Sequence, residues 1–357
     1  MVTVAVSVLK SGERLVEEVR TSLGGLLLEK GKVISTRDLE VLKAFLVKYV
    51  AIEAKLDENG QESADDAPPS NFVSNELALF YQAYDGLYQI LKKAYRVISA
   101  GSDKLPLLEM RTQLEQLLGY IDCYNPLTFT ARRSGPDDYL IHNGIMVGLT
   151  SYLLARWQGY QQKDWIPIAF AGILHDIGTM RIDDAILQKP SKLTAAEFEE
   201  LKKHTIIGYN ILKNIAGLNE GVKLSALQHH ERHDGSGYPL GVKGDKIHAY
   251  AKLVAVTDVF HAMTTSRQYK KASSPYLVLE ELMKEAFGRL EPTLVQTFIN
   301  KLTSFHNGTV VRLNDGAVAE IVFTDRSNPT RPMVNINGTI VNLAVARDRF
   351  IQDVISN

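Results

Sequence analysis

The strongest constraint on this chain is a carboxylate embedded in apolar sequence. In IPIAFAGILHDIG nearly every residue before His175 is hydrophobic, so Asp176 is expected to end a helix buried on most of its faces. An unpaired charge there is costly enough that it must be neutralised, paired with a cation or bound to metal. Asp258 repeats the problem in KLVAVTDVFHAM, an apolar helix with one acid in its middle. Two such acids require positive partners, and the fold has to bring those partners to them.

The histidines supply candidates. Eight of the nine lie between His142 and His261. The helix carrying His204 is predicted to open with a capping box of Thr194 and Glu197. Leu201, His204, Gly208, Ile211 and Ile215 then recur at three- and four-residue spacing, which puts His204 on the inward stripe. One histidine on an apolar face is more often a hydrogen-bonded core residue than a ligand, so it is the combination that points to ligation. His229 and His230, taken as helical, point about 100° apart. That is too wide for one compact chelate by the pair alone, but it suits reaching a metal centre from one backbone turn. Imidazoles and carboxylates without thiolates suit Fe or Mn, with Zn ranked after them. Two metals roughly 3.5–4 Å apart and bridged by a carboxylate can bind phosphate oxygens and lower the pKa of a bridging water, supplying hydroxide for in-line attack at phosphorus.

Length predicts two or three domains with at least one sizeable core. The formal net charge of -1 argues against a surface for nucleic-acid polymers or a basic membrane-docking face, so a small anionic ligand would need a local basic pocket. The single cysteine, Cys123, excludes an intramolecular disulfide framework and a clustered thiolate site. With no apolar run near the roughly 20 residues of a membrane span and no signal-peptide start, a cytoplasmic location is expected.

The expected fold class is mainly α. Residues 1–55 mix short β-like runs, a Gly24-Gly25 turn and a helical segment around Asp38 to Val47, and read as a small α+β module. Residues 56–71 are acidic and polar and include Pro68-Pro69, the composition of a linker. Residues 72–125 form a helical connector with Leu77, Phe80, Tyr84, Leu87 and Leu91 on one face. Residues 126–305 keep helical periodicity and form an all-α domain. In residues 306–357, VVRLNDGAVAEIVF predicts a hairpin within a small β appendage.

In their order, His142, His175-Asp176, His204, His229-His230 and Asp258 resemble the HD superfamily of metal-dependent phosphohydrolases. HHERHDGSGYPLGVKGDKI is similar to the loop of its HD-GYP subgroup, and the likeness extends from His142 to Lys270. The resemblance implies a helical-bundle HD-type domain and hydrolysis of the bacterial second messenger cyclic di-GMP to pGpG or GMP. It implies that His142, His175, Asp176 and Asp258 hold one metal, and that Asp176 bridges to a second held by His204, His229 and His230. His175 and Asp176 would then be the catalytic pair. Some relatives hold a third metal through an acid four residues before the first histidine. Asp138 stands there, although within Asp137-Asp138 it reads first as a surface acid. Gly235, Gly237, Tyr238 and Pro239 would border the substrate, with the Tyr238 ring offered to a base, and Arg267 and Lys270 resemble positions that contact phosphate or base. A diguanylate cyclase or other signalling partner, and a homodimer formed through the helical connector, are expected only by analogy.

Three positions depart from the family pattern: Thr179 replaces the lysine of HDIGK, His261 the acid of DVFDA, and Gln268 the proline of RPY. Loss of that lysine removes a cation beside the phosphate. A second reading therefore stays open, a module that keeps metals and dinucleotide pocket but senses ligand or docks a partner. A third is hydrolysis of another cyclic dinucleotide. The complete set of ligand-competent residues favours hydrolysis.

Overall fold

The computed structural model describes residues 2–6, 9–20, 26–35, 37–39, 42, 47, 49–53, 70–129, 131, 138–264, 274–286, 288–305 and 307–356. Two units, Met1–Leu79 and Phe80–Asn357, are each compact. In the first, four short strands are described: β1 (Val2–Ala5), β2 (Val19–Arg20), β3 (Leu26–Leu28) and β4 (Tyr49–Ile52). They form two antiparallel pairs, β1 with β4 and β2 with β3, over a small core that includes Leu15, Ile34, Leu42 and Val50. Gly24-Gly25, most of the Asp38 to Val47 segment and residues 56–69 of the acidic stretch lie outside the described residues, while its last two residues open the helix Ser70–Ser99.

The second unit is helical up to its C-terminal sheet. Helix α1 (Ser70–Ser99), which enters this unit at Phe80, buries Phe80, Tyr84, Leu87 and Leu91 at the spacing read from the sequence but leaves Leu77 exposed, and α2 (Leu107–Leu118) adds Met110, Leu114 and Leu117. Next come α3 (Tyr139–Trp157), α4 (Gln162–Leu174) and the short α5 (Asp184–Leu187), followed by α6 (Ala195–Lys202), α7 (His204–Lys213) and α8 (Glu220–Gln228). Then α9 (Ala249–Thr264), α10 (Pro275–Glu285) and α11 (Pro292–Leu302) complete the helical part. One hydrophobic cluster runs through α1 to α4 and α7 to α11. Each fully buried Leu or Ile in it contributes about 1.5–3 kcal/mol. Helix α9 is buried over most of its surface through Leu253, Val254, Val256 and Phe260, as its mostly apolar sequence requires.

Helices α3 and α4 touch backbone to backbone. A β-carbon on Gly172 would stand 2.6 Å from the Cα of Gly148, closer than real side chains approach, so this crossing exists only because both residues are glycine.

The sequence predicts one helix from Thr194 through Ile215, but the structure breaks it at Lys203. The capping box of Thr194 and Glu197 is present at the start of α6. At the junction the carbonyls of Leu201 and Lys202 accept from His204 Nδ1 (2.7 Å) and Thr205 Oγ1 (2.9 Å). Side chains thereby compete with the regular ladder, and the helix restarts at His204.

The C-terminal strands β5 (Val310–Leu313), β6 (Val318–Phe323), β7 (Met333–Ile336), β8 (Thr339–Asn342) and β9 (Ile351–Ser356) form one antiparallel sheet of order β8-β7-β6-β5-β9. The predicted Asn314-Asp315-Gly316 turn joins β5 to β6, with Gly316 at φ +85°. Tyr276 of α10 packs with Val311, Ile321 and Ile351 of the sheet, and the Arg331 guanidinium forks onto Glu280 at 2.5 and 3.0 Å. No helix among the described residues is long and apolar enough to cross a membrane.

Candidate metal centre

Helix α4 ends at Leu174, and the chain turns through His175 and Asp176 into a 3-10 turn, Ile177–Arg181. A β-carbon on Gly178 would lie 1.9 Å from the carbonyl oxygen of His204, so the glycine lets this turn press against the start of α7. Asp176 and His204, far apart in sequence, are thereby brought face to face. His229 and His230 follow directly after the end of α8 rather than lying within a helix as expected, with ring centroids 4.1 Å apart. Asp258 comes from the middle of α9.

The Asp176 carboxylate faces two ways. Its Oδ2 lies 3.3 Å from His175 Nε2, while its Oδ1 lies 3.3 Å from His204 Nε2 and 3.5 Å from His229 Nε2. Asp258 Oδ1 stands 3.4 Å from His175 Nε2. Two groups of donor atoms result, Asp176 with His204, His229 and His230, and His175 with Asp176 and Asp258, each with its atoms within 4.8 Å of one another. His142 belongs to neither group. It is buried on α3, its ring parallel to those of Tyr84 (5.8 Å) and Tyr88 (4.7 Å), with Nδ1 2.9 Å from the Tyr84 hydroxyl.

The histidine tautomers test whether a cation fits. The Nδ1 atoms of His175, His204 and His229 approach the carbonyls of Gly172 (2.7 Å), Leu201 (2.7 Å) and Ser225 (3.0 Å). A carbonyl oxygen only accepts, so each Nδ1 carries a proton, and each ring in its ligating, neutral form would turn a bare Nε2 lone pair inward. The Nε2 atoms of His204 and His229 then face each other at 3.4 Å, and His175 Nε2 is buried without a hydrogen bond. Lone pairs converging on two carboxylates are reconciled by cations, and the donor set fits divalent metal.

The electrostatics agree. Burial opposes charge on His175, yet Asp176 and Asp258 hold its pKa well above the ordinary histidine value: with no metal ion, a proton is the cation these acids draw in. Burial likewise opposes ionisation of Asp176 and Asp258, but His175 above all keeps both below the usual carboxylate range. Burial pushes His204 and His230 down, with neighbouring histidines adding to the effect at His230, so both tend to stay neutral and able to ligate.

Asp138 is not the surface acid its sequence suggests. It is buried, 3.0 Å from the Lys92 ammonium and 2.5 Å from the Tyr88 hydroxyl. Burial favours its protonation, but Tyr88 and Lys92 outweigh that and hold its carboxyl below the ordinary value.

The Tyr238 ring stacks on His230 at 4.6 Å and meets Phe198 edge-on at 6.3 Å. Gly235 takes φ +85° in the same loop, Gly237 packs against the backbone of Glu231 and Arg232, and Pro239 follows Tyr238. Sequence reasoning missed Glu231, whose buried carboxylate accepts from the amides of Leu240 (2.7 Å) and Val242 (3.1 Å) and so fastens this loop beside the histidine pair. An acid in a polar loop gives no burial signal. It also missed Asn143, which donates to Asp258 Oδ1 at 3.4 Å. Thr179 is buried and donates to the carbonyl of Asp176 at 2.6 Å, so it presents no charge to the site. His261 lies beside Thr150 (2.7 Å) and Tyr124 (3.5 Å), and burial lowers its pKa to about 3. Arg267, Gln268 and Lys270 lie outside the described residues.

Comparison with known proteins bears on the same segment. Residues 120–294 match the model of the HD domain. The chain is 43% identical over 43% of its length to a cyclic di-GMP phosphodiesterase of Thermotoga maritima, covering 42% of that protein. It is 31% identical over 59% of its length to a cyclic di-GMP phosphodiesterase of Pseudomonas aeruginosa, covering 51% of it. A 3'3'-cGAMP-specific phosphodiesterase of Vibrio cholerae is 36% identical over 44% of this chain and 31% of its own length. The chain thus spans about half the length of the Pseudomonas relative and less of the other two. Residues 120–294 thus carry an HD domain, with a His175-Asp176 pair at the meeting point of two donor groups and the Gly-Tyr-Pro loop laid against one of them.

Proposed function

We propose that this protein hydrolyses cyclic di-GMP to linear pGpG, GMP or both in a metal-dependent reaction. The observation that carries the reading is the two-way carboxylate of Asp176, with one oxygen toward His175 and the other toward His204 and His229. One cation would be held by His175, Asp176 and Asp258, with His142 as a further candidate, and a second by Asp176, His204, His229 and His230. Bound divalent ions in such a pair supply Lewis acidity toward phosphate oxygens and lower the pKa of water. The protein's share is to fix the donors. Helix carbonyls hold three imidazoles in one tautomer, Asn143 steadies Asp258, and Glu231 ties down the loop that sets Tyr238 beside His230. The Tyr238 ring would receive a guanine base. A set of imidazoles and carboxylates without thiolates suits Fe(II), Mn(II) and Zn(II), of which Fe(II) and Mn(II) are taken first.

A second reading has its own observation. Thr179 spends its hydroxyl on a backbone carbonyl and offers no cation, which favours slow turnover or a ligand-sensing role. The cGAMP-specific relative keeps a mixed cyclic dinucleotide in play as substrate. The test is turnover of cyclic di-GMP, and of 3'3'-cGAMP alongside, by protein purified anaerobically and reconstituted with Fe(II) or Mn(II), with bound metal quantified in the same samples. Metal-dependent release of pGpG or GMP supports hydrolysis. Two bound metals and ligand binding without product support sensing, and absence of metal binding overturns the site.

A further inference from the structure

Thr179 offers no cation to a bound phosphate, and the described residues around Tyr238 contain a candidate that the sequence did not single out. Lys202 closes α6, two residues before His204. Its ammonium lies 5.0 Å from the ring centroid of Phe198 and 5.5 Å from that of Tyr238, the ring stacked on His230. The backbone beneath it is pinned, because the Lys202 carbonyl accepts from Thr205 Oγ1 and the preceding carbonyl from His204 Nδ1. The lysine is therefore carried by the same turn that orients a candidate ligand, with its charge over the edge of the site.

Neighbouring cations are already engaged. Lys189 sits between both oxygens of Glu197 at 2.7 and 2.6 Å, and Glu197 is itself the capping partner of Thr194. Arg232 donates to the carbonyls of His229 (3.4 Å) and Glu231 (3.0 Å). Lys203 makes the same kind of exposed pair, with Glu200 at 2.5 Å, but among the described residues it is Lys202 whose ammonium lies over the Tyr238 ring. Among the described residues the ion-pair partner of Lys202 is Glu199, one turn back at 2.7 Å, whose side chain is 68% exposed. A solvated pair of this kind is weak, and an anion held at the metal centre competes with it readily.

We infer that Lys202 is a substrate-binding residue of this site, meeting the phosphodiester backbone of a cyclic dinucleotide in place of the cation that Thr179 does not supply. Its position over the Tyr238 and Phe198 rings holds the ammonium near the site, with hydrogens beyond the one given to Glu199 available to donate. This rests on the phosphodiesterase reading above.

The test measures binding of the bisphosphorothioate analogue of cyclic di-GMP to the Mn(II)-loaded full chain at two salt concentrations, with metal content determined in parallel, for wild type, Lys202→Ala, Lys202→Arg and Lys203→Ala. Lys202→Ala is expected to raise Kd about tenfold with unchanged metal content, and to flatten its salt dependence. Lys202→Arg should stay within about threefold of wild type, and Lys203→Ala should match it. Binding by Lys202→Ala within twofold of wild type overturns the assignment while leaving the phosphodiesterase reading intact. Loss of metal in Lys202→Ala also overturns it, by showing that the residue acts through His204. A wild type that holds metal but does not bind the analogue overturns both.

Discussion

The ammonium of Lys92 lies 3.0 Å from the buried carboxylate of Asp138. That acid stands where the family pattern allows a third metal ligand, but its charge is already met by Lys92 and by the Tyr88 hydroxyl. The expected stoichiometry is therefore two metal ions per chain, and Asp138→Asn should keep both. Elemental analysis after Mn(II) reconstitution decides it: a third equivalent in wild type that disappears in Asp138→Asn would make the carboxylate a ligand after all.

Asp176 is shared by both donor groups, so its loss should affect both together. Asp176→Asn, which preserves shape, is expected to drop metal content below one equivalent. Turnover should fall by more than the ~10²-fold that losing a single preorganised electrostatic contact costs. Retention of two metals in this variant would contradict the bridging role.

Tyr238 stacks on His230 without a hydrogen bond being needed for the contact. Tyr238→Phe should bind cyclic di-GMP as wild type does, whereas Tyr238→Ala should weaken binding about tenfold, the value of an aromatic pair. Metal content should be the same in both. Equal affinities for the Phe and Ala variants would remove the ring from the binding surface.

His261 carries a pH dependence of stability. Burial holds its folded pKa at about 3, below the roughly 6.5 of an unfolded histidine. Between these values the unfolded chain binds the extra proton, so the stabilisation is complete above pH 6.5 and declines as pH falls toward 3. The loss from this group between pH 7 and pH 5 is on the order of 2 kcal/mol. Denaturant titrations of wild type and His261→Gln at both pH values should show a smaller acid loss in the variant, and equal losses would refute the assignment.

The site was legible where burial contradicted residue type. His175-Asp176 and Asp258 stood out because their surroundings are apolar, and the spacing of His204 against Leu201 and Ile211 pointed inward for the same reason. What stayed hidden depends on segments distant in sequence. Asp138 follows a proline and another acid and reads as solvent-facing, and only Tyr88 and Lys92, on a helix some fifty residues earlier, bury and pair it. His142 was read as a ligand from its place in the pattern, and nothing in the sequence signalled that its ring would lie parallel to those of Tyr84, placed on the buried face of the connector, and Tyr88. The break at Lys203 arises from side chains bonding to carbonyls, which a spacing pattern does not register. Helix α9 and the Gly316 turn were legible because one pattern dominates each.

The glycine crossing of α3 and α4 works as a ruler for the site. Gly172 lies three residues before His175, and its carbonyl fixes that imidazole, while Gly148 lies on the helix that bears His142. A single methyl at this contact would act as a shim, sliding one helix along the other and carrying His175 and Asp176 away from Asp258 without altering any donor. The distance that separates His175 and Asp176 from Asp258 thus hangs on two missing side chains, one of them a single helical turn before His175.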